Sequence, residues 1–308
     1  MHFCLGTTPT VQQTMVFDHV ALDEVNRAVE VGRASSGKSI NVARVLHTLG
    51  EAATVCVPVG GDTGRFILEH LAAEGIGHNC VEIVNPTRTC VTVIDRQRGT
   101  AMELVEEHAV LGEGAADKLL NELRAYLPRC RSLVLSGTLA PGAGEDFYAR
   151  CCEIAAGAPP IILDARGEAL MRAVAMRPLV VKPNRAELSA TLGVDMKDDG
   201  ALREAIKELV RRGAQWVVVT MGKNGAVASD GKAFWKIPAI AVKAISAIGS
   251  GDSFSAGLAT DIARGKEVPE ACLLGAACAA ANTLVPGAGY LRLEDVQRLR
   301  PLARLEKM

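Results

Sequence analysis

The chain has 308 residues with 34 Lys+Arg against 35 Asp+Glu, a formal net charge of −1, which argues against a nucleic-acid binder that relies on a basic face. A hydrophobic fraction of 49% with 22% charged residues excludes a disordered chain and allows two domains, or one large α/β domain with an appendage. The start, MHFCLGTTPT, lacks a charged region leading into an apolar one, and the longest small-apolar run, around Ala271–Ala281, falls short of the ~20 residues that cross a bilayer, so no signal peptide and no membrane span are expected.

In chain order, Val42, Val45, Leu46 and Leu49 follow the i, i+3, i+4, i+7 rule and predict a helix that Gly50 ends. Thr54–Val59 reads as a short buried strand, and Phe66, Ile67 and Leu71 mark a helix that stops near Gly75. Ser132–Leu135, Ile161–Leu163, Leu179–Val181 and Trp216–Thr220 are further apolar runs, each preceded by a helical segment such as Ile206, Leu209 and Val210 before Gly213. Continuous apolar strands belong to a parallel sheet covered on both faces. Their repetition predicts a doubly wound, mostly parallel α/β core. Two stretches, Thr14–Val31 and about Thr87–Leu104, alternate apolar and polar residues instead. They predict half-buried antiparallel strands, a small lid sheet inserted from about residues 10–34 and 87–110 into one domain spanning 1–308. From Gly249 the chain turns helical, with Phe254, Leu258 and Ile262 on one face and an Ala-rich helix over Glu270–Thr283. Nine cysteines without C-x-x-C spacing predict reduced core thiols of a cytoplasmic protein.

Three glycine-bearing loops carry candidate chemistry. Gly32-Arg33-Ala34-Ser35-Ser36-Gly37-Lys38-Ser39 matches the P-loop pattern, and Ile161-Ile162-Leu163-Asp164 resembles the apolar strand ending in Asp that accompanies one. The preceding segment, Asn26–Val31, alternates like an edge of the inserted sheet and is not a buried central strand, so a P-loop is not favoured. Ala247–Phe254 places small residues at a helix start, where free N–H groups and the helix dipole suit an anion. Asp252 there is either an ordinary helix-start residue or a general base beside a site for a moving phosphoryl group. Thr220-Met221-Gly222-Lys223-Asn224-Gly225 and Lys182-Pro183-Asn184-Arg185-Ala186-Glu187 follow strands, where open parallel sheets bind ligands, although the first could be a plain hairpin.

Four segments in order carry a resemblance. They are Ser36-Gly37-Lys38-Ser39-Ile40-Asn41-Val42-Ala43-Arg44, Ser136-Gly137-Thr138-Leu139, Lys182-Pro183-Asn184-Arg185-Ala186-Glu187-Leu188 and Gly249-Ser250-Gly251-Asp252-Ser253-Phe254-Ser255-Ala256-Gly257. Through them the whole chain resembles the ribokinase/PfkB carbohydrate kinases. With Thr87-Arg88 in the lid it is similar to the hexose-phosphate branch, the 1-phosphofructokinases and tagatose-6-phosphate kinases. The resemblance implies an ATP- and Mg²⁺-dependent kinase with Asp252 as base and Gly249, Ser250 and Gly251 as anion hole. It implies that Asn184 and Glu187 position Mg²⁺ and that Lys182 reaches the nucleotide phosphates. Thr220, Gly222 and Gly225 would border ATP, with Asn282 near the adenine. Lys38 and Arg88 would clamp the phosphate of the sugar, and Gly37, Asn41 and Thr138 would line the sugar site.

The chain departs from that pattern at Thr8-Pro9-Thr10-Val11-Gln12, where the branch usually has an Asp on the sugar hydroxyls, at Ser36-Gly37-Lys38-Ser39 for Gly-Gly-Lys-Gly, and at Ser246 for an Asn. Phosphoryl transfer to a hexose phosphate is the expected reaction. A kinase of an unphosphorylated sugar or nucleoside leaves the Lys38 and Arg88 cations without purpose, and a non-catalytic sensor leaves Asp252, Asn184 and Glu187 unexplained. The expected partner is the sugar or sugar phosphate, with neither nucleic acid nor membrane, and an exposed lid allows a homodimer through it.

Overall fold

The computed structural model describes residues 1–157 and 159–308. Ten strands form the central sheet, in the spatial order Glu306–Lys307, Phe234–Ile237, Ala226–Ser229, Trp216–Thr220, Val180–Val181, Ile161–Asp164, Ser132–Ser136, His2–Leu5, Ala53–Cys56 and Gly77–His78. From Trp216–Thr220 to Gly77–His78 neighbours run parallel, and the pairs toward Glu306–Lys307 are antiparallel. After His2–Leu5 the chain builds outward to one side through Ala53–Cys56, then returns to build the other side from Ser132–Ser136. The strand order therefore reverses between His2–Leu5 and Ser132–Ser136, and a cleft is expected at their carboxyl ends.

The apolar runs are continuous because both sheet faces are covered. Phe3 and Leu5 pack with Leu119, Phe147 and Leu163 on one side, whereas Cys4 packs with Ile40, Val55 and Phe254 on the other. Leu133 and Leu135 against Val134, and Val217 and Val219 against Val218, repeat the alternation between two apolar clusters. The helix expected from Val42 spans Lys38–Thr48, and the chain turns at Gly50, as the pattern predicts. The stretch Thr54–Val59 is two strands, Ala53–Cys56 and Pro58–Val59, in different sheets. Pro58 has no N–H to continue the central ladder. All nine cysteines are free thiols, seven of them buried.

The lid is a four-stranded sheet ordered Glu30–Ser36, Thr10–Phe17, Thr89–Asp95, Thr100–Val105. Its outer pairs are antiparallel, but the central pair, Thr10–Phe17 with Thr89–Asp95, is parallel. The expectation of antiparallel strands is corrected there. Both central strands leave the core in the same direction, and each returns by its own hairpin along an edge. Residues 18–29, inside the stretch read as alternating, connect the first hairpin and form no strand. Gly32 sits within the strand Glu30–Ser36, so the P-loop-like segment is extended backbone up to Gly37 and no phosphate-wrapping loop exists. Among the described residues no helix is long and apolar enough to cross a membrane.

Candidate active site

Asp252 lies in the first turn of the Ser250–Ala263 helix, whose N-cap is Gly249 in the left-handed region at φ 81°. A side chain at Gly249 would also strike Ala288 and Gly289, so the close approach of that loop demands glycine. The first N–H groups of the helix have no intrahelical carbonyl and carry the positive end of its dipole. Asp252 is buried, and its Oδ2 accepts from Asn41 Nδ2 at 2.8 Å. Burial pushes its carboxyl up to about 6, against the pull of Lys38 and with the push of Asp164. A carboxylate held near that value takes a proton readily without being protonated at neutral pH.

Asp164 ends the strand Ile161–Asp164 and is the charge around which the site is arranged. Its Oδ1 accepts from Lys38 Nζ at 2.9 Å and its Oδ2 from Lys182 Nζ at 2.9 Å. Burial works against the Asp164 carboxylate, but Lys182 and Lys38 outweigh it and hold its pKa down to about 2. Lys182 is itself buried, follows the strand Val180–Val181, and brings its ammonium beside the Gly251 Cα, where a Cβ would lie 3.8 Å away. Ser255 Oγ joins the first turn to this pair, donating to Gly251 O at 3.1 Å and reaching Asp164 Oδ2 at 3.4 Å. Two lysines, the helix N-terminus and Asp252 thus converge on one space.

Lys38 Nζ bridges Asp164 Oδ1 and Glu187 Oε1, the latter at 3.1 Å. Burial lowers the pKa of the ammonium, yet Asp164, Glu187 and Asp252 outweigh it and keep the charge well above its ordinary range. Asn184 and Glu187 form a reciprocal capping box on the Arg185–Leu192 helix: Asn184 Oδ1 accepts from Glu187 N at 2.8 Å, and Glu187 Oε2 accepts from Asn184 N at 2.9 Å. The pair is therefore a helix start as well as a candidate metal site. Among the described residues no group of three His, Cys, Asp or Glu could hold a metal directly. Mg²⁺ keeps most of its waters and takes one or two carboxylates with substrate phosphates, and the hard oxygens of Glu187 near the Lys38–Asp164–Lys182 cluster fit that mode.

The strand Trp216–Thr220 brings Thr220 against Asn184, with Thr220 N donating to Pro183 O at 3.1 Å. Gly222 opens the following 3-10 turn in open space. Gly225 closes it, and a Cβ there would collide with the backbone of Ile237. Asn282 is fully buried: it donates to Ile248 O at 2.8 Å and accepts from Ser253 Oγ and Gly289 N, each at 2.9 Å. It ties the Gly249 loop to the 287–289 loop and keeps one of its two amide N–H donors without a partner in these contacts. Asn41 donates one N–H of its Nδ2 to Asp252, while its Oδ1 accepts from Ser36 Oγ at 3.1 Å.

Where the strand order reverses, Thr7 and Thr8 each donate to Thr138 O, at 3.1 and 3.2 Å. Gly37 is the N-cap of the adjacent Lys38–Thr48 helix. Gln12 is on the lid, half-buried, and its Nε2 donates to Thr92 Oγ1 at 2.8 Å. Arg88 sits where the lid joins the core, with its Nη1 on Glu106 O at 3.1 Å and its buried Nε without a partner. Asp164 is the charged group of this cluster that none of the four resembling segments contains; its signal in the sequence was the apolar strand ending in Asp.

A model of the pfkB family carbohydrate kinases matches residues 4–295. Among solved structures, the tetrameric inhibited form of Escherichia coli phosphofructokinase-2 is similar over 98% of both chains, with 28% identity and a TM-score of 0.90. The same enzyme in complex with fructose-6-phosphate gives 27% identity and a TM-score of 0.88 over 98% of both chains. A structure described as a possible 1-phosphofructokinase from Thermotoga maritima shares the fold at a TM-score of 0.89, covers 100% of both chains and is 22% identical.

Proposed function

Because this chain belongs to the pfkB family of carbohydrate kinases, we propose that it transfers the γ-phosphoryl group of ATP to a hydroxyl of a hexose phosphate, giving a bisphosphate. The observation that carries the reading is Asp252: a buried carboxylate poised at about 6, oriented by Asn41, in the first turn of a helix flanked by Lys182 and Lys38. The acceptor hydroxyl gives its proton to the Asp252 carboxylate as its oxygen attacks the γ-phosphorus, and the bond to the β–γ bridging oxygen breaks with ADP leaving. Charge on the transferred group falls on the N–H groups of Gly251 and Asp252 and on the two ammonium groups, which Asp164 holds in place before the substrate arrives. Such preorganised charges need no rearrangement at the transition state. Glu187 and Asn184 would hold Mg²⁺ through waters, where it supplies neutralisation of the β- and γ-phosphates.

The nucleotide side runs from Lys182 to Thr220, Gly222 and Gly225, and the sugar side from Thr138 and Gly37 to Gln12 and Arg88. The unpartnered Arg88 Nε at the sugar end supports a phosphorylated substrate, since a buried guanidinium nitrogen without an acceptor is costly unless an anion meets it. The lid supports a dimer through a second copy of this chain. Val31, Met15, Val93 and Met102 stand in one row across its four strands. Val31 is 59% and Met102 49% exposed, and the similar Escherichia coli enzyme forms a tetramer. The reading is tested by Asp252→Asn. Loss of a positioned base should cut kcat by about 10²–10⁴-fold while nucleotide affinity stays within a small factor; a folded variant with near-normal kcat would sink it.

A further inference from the structure

Beside Arg88 the structure holds a second buried nitrogen without a partner, Nδ1 of His108. His108 follows the lid strand Thr100–Val105 by three residues and faces the same small cavity as Arg88, Thr7, Thr8 and Thr87. That cavity lies where the strand order reverses, at the end of the cleft remote from the nucleotide loops. Arg166, just before the Gly167–Val174 helix, contributes a second cation to its field. Glu107, on the segment of His108 itself, is the carboxylate that acts on it, while Glu106 is engaged with Thr89 N at 2.7 Å.

An imidazole nitrogen is a donor or an acceptor according to its tautomer, and only the protonated ring donates from both sides. Here the ring is held neutral. Burial and the neighbouring Arg88 depress its pKa to about 4, with Glu107 opposing and Arg166 adding to the fall. Neutral His108 and cationic Arg88 thus line one cavity and each leaves a buried nitrogen without a partner, an arrangement that an anion would complete. A phosphate dianion between them reverses the electrostatics, giving Arg88 Nε an acceptor and replacing cation–cation repulsion around the ring with attraction. About a thousandfold in proton affinity separates a pKa of 4 from neutrality, and a doubly charged group in contact across a partly desolvated pocket is strong enough to cover it.

We propose that His108 is a specificity-determining residue that takes up a proton from solvent when the phosphate of the sugar substrate docks between it and Arg88. The inference rests on the hexose-phosphate reading for its ligand, but its test needs no turnover. Fructose 6-phosphate, inorganic phosphate and fructose are titrated calorimetrically into the full chain at pH 7 in two buffers of different protonation enthalpy. Measured against His108→Gln and His108→Asn, which share the ligand's own phosphate ionisation, the wild type should take up about half a proton more at pH 7 with either phosphate compound, and its affinity advantage over them should shrink as pH rises above 7. Both variants, neutral at residue 108 at every pH, should show only the proton release of the phosphate itself, with Tm unchanged. Equal proton uptake in wild type and both variants overturns the proposal, as does fructose binding as tightly as its phosphate, or no binding of either phosphate compound. Binding with proton uptake but no ADP formation from any sugar would leave the role of His108 standing and sink the kinase reading instead.

Discussion

As the proposed base, Asp252 must be unprotonated to act, and burial raises its pKa to about 6. The acid limb of kcat/KM should therefore have its midpoint close to pH 6, with activity rising as pH rises through it. A midpoint near 4 would mean a carboxylate that is solvated, contrary to its burial among Asn41 and the helix start. Asp164 acts differently. Its removal in Asp164→Asn leaves Lys182 buried without its counter-charge, a change worth about 3–5 kcal/mol of stability. Urea denaturation should show that loss, and Asp164→Asn combined with Lys182→Met should recover most of it while kcat stays low. If the double variant is as unstable as the single one, the ion pair is not what Asp164 supplies. Gln12 offers one acceptor and two donors, one donor already on Thr92. A sugar that suits a carboxylate there leaves a polar group unpaired, a discrimination of roughly 5- to 150-fold in kcat/KM. Fructose 1-phosphate and tagatose 6-phosphate should be poor substrates, and Gln12→Asp should improve at least one. Efficient use of either by the wild type, unaltered by Gln12→Asp, would show that Gln12 does not read the sugar.

At the scale of elements, the Asn184–Glu187 capping box separates two roles of one motif. Asn184→Ala deletes the cap of the Arg185–Leu192 helix and should cost about 0.5–2 kcal/mol. Asn184→Asp keeps a capping acceptor, so its stability should stay near wild type and any fall in its activity reports on the phosphate site alone; an Asp variant as unstable as the Ala variant would contradict the cap. The core strands were legible in the sequence because burial on both faces writes an unbroken apolar run, as in Ser132–Ser136 and Trp216–Thr220. The lid was legible as a sheet, since Cys90-Val91-Thr92-Val93-Ile94 alternates, but its parallel central pair was not. Alternation records which face a residue takes and carries no information about the direction of the neighbouring strand. Asp252 could be found from its helix start. The partners of Lys38 could not, because Asp164 and Glu187 lie 126 and 149 residues away and meet it only through the sheet order. The partners of Asn282 were hidden for the same reason: they belong to two loops that the Ser250–Ala263 and Val268–Asn282 helices bring together.

At the scale of the whole molecule, the lid row of Met15, Val31, Val93 and Met102 should be covered by a second subunit. Light scattering should give a dimer or a larger even assembly, and Met102→Glu should shift it toward monomer; a monomeric wild type at micromolar concentration would remove the lid interface from the account. The central claim, that Asp252 delivers a hydroxyl of a phosphorylated hexose to the γ-phosphate of ATP, is met most directly by ADP release measured with MgATP against matched pairs of hexose phosphates and their parent sugars. The account predicts turnover of at least one hexose phosphate, with kcat/KM above that of its parent sugar by about 10- to 150-fold for each charged hydrogen bond to the phosphate, and its collapse in Asp252→Asn. Turnover that prefers an unphosphorylated sugar, or that survives in Asp252→Asn, would contradict it.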